Sequence, residues 1–150
     1  MLLSSRLMQN NKIGNILALD IGDARIGIAI GHTIARLPHP LGVIPAQPIS
    51  DAIVAIRYTI TAQQEVISIV IGTPLNENGE QTAQAKKIEA FVSTLKKDIS
   101  LPIVYVDESF SSVDADAYIA QHKLSTKHND SIAACMVLQR YFDMQENAYV

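Results

Sequence analysis

At 150 residues, 48% of them hydrophobic, the chain has the length and apolar content for one domain that buries roughly two-thirds of its surface, which excludes a disordered chain. A formal net charge of −3 excludes nucleic-acid binding by diffuse attraction, so any such role must rest on a local site. No apolar run approaches the roughly 20 residues of a membrane span, and a lone cysteine, Cys135, cannot form an internal disulfide. Leu2-Leu3 is too short for a secretory apolar region and residues 6–14 are polar. The expectation is a cytoplasmic protein with no membrane partner, a loose extension over residues 1–14 and a single domain over 15–150.

In chain order, Ile16–Leu19 and Ile26–Ile30 are apolar runs flanking Asp20, Gly22 and Arg25, which predicts two buried strands joined by a tight turn. Gly22 and Gly27 permit a close approach of phosphate, and they equally suit a plain hairpin whose Asp20 bonds its own turn. Residues 31–40 read as a loop, and Leu41–Ala46 as a short third strand stopped by Pro45 and Pro48. Ser50 suits a helix N-cap, with Asp51 at the positive end and Ile53, Ile56 and Ile60 on one stripe. Val66–Ile71 is a β-branched run typical of a strand covered on both faces, followed by a loop from Gly72 through Asn76 to Gly79.

A second helix is expected from about Glu80 to Lys97, with Ala85, Ile88, Phe91, Val92 and Leu95 buried. A strand over Ile103–Val106 then ends in Asp107-Glu108. Ser111 and Asp114 have capping-box spacing for a third helix. A polar, basic loop with His122, Lys123, Lys127 and His128 leads to an apolar helix beginning at Asp130, with Cys135 in its core. Strands alternating with helices after an opening hairpin imply an α/β domain with a mixed, mostly parallel sheet.

In such sheets ligands bind beyond the carboxyl ends of the parallel strands, where Asp20, the Gly72–Gly79 loop and Asp107-Glu108 converge. Gathered acids stay ionised only beside a cation, and hard oxygen ligands select Mg²⁺ or Mn²⁺. Two such ions about 4 Å apart serve phosphodiester cleavage. Each residue also has a plainer reading: Asp130 as an N-cap, Asp107-Glu108 as solvent-facing, and the basic loop as a solvated surface.

Four motifs in order, Asp20-x-Gly22-x-x-Arg25-x-Gly27-x-Ala29, Gly72-Thr73-Pro74-Leu75-Asn76 with Gly79, Asp107-Glu108 with Ser111-Ser112, and Asp130 with Ala133-Ala134, carry a resemblance from Ile16 to Phe142. The chain resembles the YqgF (RuvX-like) family of the RNase H-like superfamily, described as Holliday junction resolvases or nucleases of pre-16S rRNA processing. The resemblance implies an RNase H-like fold, a five-stranded mixed sheet flanked by helices. It implies catalytic acids at Asp20, Glu108 and Asp130, a metal set of these three with Asp107, and Mg²⁺ or Mn²⁺ as cofactor. Arg25, Asn76, Lys123 and Lys127 are the expected nucleic-acid contacts. The family's usual arginine after the acid pair is Ser109 here, and its usual glutamate in the next helix is Asp114.

The expected activity is endonucleolytic processing of the 5' end of pre-16S rRNA, on structured RNA. A Holliday-junction-type resolvase acting on branched DNA is the alternative. A catalytically weak RNA-binding or regulatory factor of the same fold is another, and monomer and homodimer are both open.

Overall fold

The structure, a computed structural model, describes residues 12–74, 82–108, 112–122 and 129–147. Their elements run β1 (Asn15–Ile21), β2 (Arg25–His32), β3 (His39–Pro45), α1 (Ile49–Gln63), β4 (Val66–Thr73), α2 (Ala83–Asp98), β5 (Ile103–Asp107), α3 (Ser112–His122) and α4 (Asn129–Asn147). The five strands form one mixed sheet in the order β3-β2-β1-β4-β5. β1 pairs antiparallel with β2, as β2 does with β3, while β1/β4 and β4/β5 are parallel.

The sheet is covered on both faces because its strands alternate between two apolar sets. Leu17, Leu19, Ile21, Ile26, Ile28, Ile69 and Ile71 pack with Ala52, Ile53 and Ile56 of α1 and with Ile88, Phe91, Val92 and Leu95 of α2. Ile16, Ala18, Ala29, Val70 and Val106 pack on the other face with Tyr118 of α3 and with Ile132, Cys135, Val137, Leu138 and Phe142 of α4. Full burial of each large aliphatic side chain contributes about 1.5–3 kcal/mol, so two such clusters make one sheet the common support of both helix layers. β4 is the run buried on both faces that its β-branched sequence predicts.

Several boundaries differ from the sequence reading. β2 continues to His32, and β3 begins at His39 and includes Pro40 and Pro45. Prolines are tolerated there because, among the described residues, β3 is the outer strand of the sheet. Ser50 is not the N-cap of α1. Pro48 holds that position without a side-chain bond, and its carbonyl accepts from Ala52 N at 3.2 Å. Asp51 does lie in the first turn.

α2 starts at Ala83, not near Glu80, because extended Thr82 caps it, its hydroxyl accepting from Ala85 N at 3.1 Å. Asp130 lies in the first turn of α4, which begins at Asn129. The N-terminal extension up to residue 11, Leu75, Asn76, Gly79, Ser109, Ser111, Lys123, Lys127 and His128 lie outside the described residues.

Candidate active site

Strand parity decides which side chains meet. Along β1, Ile16 and Ala18 face α4 while Leu17, Leu19 and Ile21 face α1 and α2, so Asp20 emerges on the α4 face. The same alternation carries β4 through Val70 to Gly72 and β5 through Val106 to Glu108. Register aligns the three carboxyl ends: Leu19 pairs with Ile71, Gly72 with Val106 and Thr73 with Asp107. Glu108 extends the ladder by one bond, its N–H donating to Thr73 O at 3.2 Å.

The result is a carboxyl pair. Glu108 and Asp20 are joined by a side-chain hydrogen bond. Burial, chiefly, pushes the Glu108 carboxyl up to about 9; the hydrogen bond to Asp20 and the charges of Asp20 and Asp107 act in the same direction. Burial and the neighbouring acids thus favour a proton held within the Asp20–Glu108 pair. Two carboxylates this close cannot both ionise cheaply without a cation, so a proton does the cation's work.

Gly72 makes the pair possible. A Cβ there would lie 2.7 Å from Val137 Cγ2 and 2.8 Å from Glu108 Cδ, both well inside van der Waals contact. The same two distances locate α4 over the site, beside Glu108. Position 130 precedes Val137 by two helical turns and shares its side of α4. The Asp130 side chain itself lies outside the described residues. Among the described side chains, no three metal-ligating groups converge.

The remaining expected residues sort as follows. Asp107 turns to α4: Arg140 Nη1 donates to its carbonyl at 2.7 Å and lies 3.7 Å from its Oδ2. Arg25 opens β2, exposed, two residues from Gly27, which pairs with Asp20. Gly22 answers to the turn, since its N–H donates to Arg25 O at 2.8 Å and a Cβ would press on that carbonyl at 2.9 Å. α2 braces this turn from beneath, Gln84 Nε2 donating to Ile21 O at 3.1 Å and Lys87 Nζ lying 3.2 Å from Asp23 Oδ1.

Three of these residues went unassigned in the sequence. Gly72 had a visible signal, a glycine ending a β-branched strand, but the reading placed it in a loop. Arg140 had a weaker one, a cation in an apolar helix. Gln84 had none.

The family model described as RuvX, Holliday junction resolvase, matches residues 14–144. A protein of Roseiflexus sp. (strain RS-1), described as a candidate nuclease of pre-16S rRNA, is 35% identical over 136 residues, covering 88% of this chain and 96% of the relative. One of Chloroflexus aggregans with the same description is 36% identical over 138 residues, covering 89% and 96%. Among solved structures, Thermus thermophilus RuvC bound to a Holliday junction superposes with a TM-score of 0.58 at 11% identity, covering 89% of this chain and 96% of that one. The fowlpox virus resolvase, also in complex with junction DNA, gives 0.55 at 11% identity over 89% and 98%. These neighbours establish the RNase H-like, resolvase-type fold, and the extent of the family match together with the relatives establishes membership. The chain belongs to the RuvX family.

Proposed function

We propose that this protein is a divalent-metal-dependent endonuclease that trims the 5' end of pre-16S rRNA. The observation that supports it is the Asp20–Glu108 pair, two hydrogen-bonded carboxyls at the carboxyl edge of the parallel strands. Such a pair fits a hard cation, because the oxygen donors are already gathered and the proton between them is what a cation replaces. The ion preferred is Mg²⁺ or Mn²⁺, and its chemistry when bound is to activate a water and to stabilise the leaving oxygen.

Asp20, Glu108 and Asp130 are the catalytic ligands in this reading. Asp107 braces the set through Arg140 instead of joining it. Arg25 contacts phosphate beside Asp20, and Asn76, Lys123 and Lys127 extend that contact along the substrate. The relatives' descriptions favour the RNA substrate, and the family's description favours a branched DNA junction as the second reading. No helix among the described residues is long and apolar enough to cross a membrane, and a cytoplasmic enzyme is the reading we adopt.

The test is cleavage by purified protein of a pre-16S rRNA 5' end and of a four-way DNA junction, with Mg²⁺, Mn²⁺ or EDTA. We expect metal-dependent cleavage of the RNA, lost at least about a hundredfold in Asp20→Asn, because a missing ligand misplaces the charge that stabilises the transition state. Preferential cleavage of the junction transfers the reading to DNA. Metal-dependent binding without cleavage of either makes the protein a binding factor, and equal activity in EDTA overturns the site.

A further inference from the structure

We infer that Arg140 is a positioning residue for Glu108, fixing it against Asp20 by clamping the peptide group that precedes it. Among the described residues β5 is an edge strand, paired in the sheet with β4. Along a strand the N–H of one residue and the C=O of the residue before it point to opposite sides. Glu108 N–H points inward, to Thr73 O at 3.2 Å, so the carbonyl of Asp107 points outward, beyond the last strand. There Arg140 Nη1 meets it at 2.7 Å and also lies 3.7 Å from the Asp107 carboxylate. The peptide between Asp107 and Glu108 is held from both sides, by β4 and by α4.

A stabilising role explains this arrangement poorly. The side chains are 39% and 42% exposed, and an ion pair so open to water adds little to folding. Local definition explains it better. A strand end with one neighbour frays, and fraying here would move Glu108 away from Asp20. Arg140 ties that end to α4, which packs on the same face of the sheet as β1. The consequence for metal rests on the proposed function; the positioning itself does not.

The experiment uses the full-length protein and its Arg140→Ala, Arg140→Met and Arg140→Lys variants. Amide hydrogen exchange is measured without metal, and Mn²⁺ affinity by titration. We expect Arg140→Ala and Arg140→Met to speed exchange at the Glu108 amide at least about tenfold while the amides of β1 and the middle of β4 keep wild-type protection. Mn²⁺ affinity should fall about 10- to 100-fold, the usual effect of removing a group that orients a ligand. Arg140→Lys keeps a donor for the carbonyl and should recover part of both. Unchanged exchange at Glu108, or acceleration of all core amides together, overturns the inference. Failure of the wild type to bind Mn²⁺ overturns the nuclease reading and leaves the exchange result to decide on Arg140.

Discussion

Replacing Glu108 by Gln should stabilise the metal-free protein at neutral pH, with the gain vanishing in acid. Burial and the neighbouring acids push the folded carboxyl up to about 9 from an ordinary 4.5, so between these limits the native state favours a proton that the unfolded chain releases. A raised carboxyl value places its favourable contribution below 4.5 and removes it as pH climbs toward 9, at up to about 1.4 kcal/mol per pH unit. At pH 7 the ceiling is therefore about 3 kcal/mol, and partial solvent exposure of Glu108 reduces it to roughly 1–3 kcal/mol. Gln mimics the protonated acid: its amide still donates to Asp20, it fits beside Gly72, and it has no proton to lose.

For a domain of this size the gain corresponds to a melting point roughly 3–10 °C higher in EDTA at pH 7. Thermal melts of both proteins between about pH 4 and pH 9 measure it, the curves converging near the ordinary carboxylate value. Saturating Mn²⁺ should reverse the order, since the wild-type carboxylate binds the ion more tightly. Parallel curves across the whole range, or a variant less stable throughout in EDTA, would refute the shared proton and with it the carboxyl pair.

Gly72→Ala should destabilise by about 1–3 kcal/mol, because the new methyl meets both Val137 and Glu108, and cleavage should fall more than the melting point suggests. The Cys135 thiol, fully buried and pushed up to about 12 mainly by burial, should resist a thiol reagent in the native state and react once guanidinium unfolds the chain; fast native labelling would contradict its burial. Replacing Lys123 and Lys127 together by Ala should weaken RNA binding and flatten its salt dependence by about two phosphate contacts. An unaltered salt slope would return that loop to a solvated surface.

Much of the fold was legible because period and burial coincide. β4 is apolar at successive positions and is buried on both faces; the α2 stripe of Ala85, Ile88, Phe91, Val92 and Leu95 is buried as its spacing predicts. The errors are local. Ser50 has a cap-forming side chain, yet tertiary context starts α1 two residues earlier than that cap would, at Ile49 after Pro48, and capping chemistry cannot overrule that. Pro40, placed in the preceding loop, falls inside β3, because a proline argues against a strand only if the strand is central, and centrality is a property of the sheet. At the site, Asp20 and Glu108 were legible as acids following apolar runs. Their joint dependence on Gly72 was not, since it arises from strands whose neighbours are distant in the chain.

The adjacent acids Asp107 and Glu108 show what the sequence leaves open and the register closes. Either could join Asp20 on chemistry alone, and both end the same apolar run. Side chains alternate along a strand, so only one of two neighbours can share a face with Asp20. Val106 packs under α4, which puts Glu108 on that face and sends Asp107 to the edge. Glu108 lies one residue beyond the last strand pair and there meets Asp20 through a side-chain hydrogen bond. Asp107 in turn gains a different partner, Arg140, and its negative charge remains near enough to help hold the proton on Glu108. One residue of register thus separates an acid that meets Asp20 from an acid that meets Arg140.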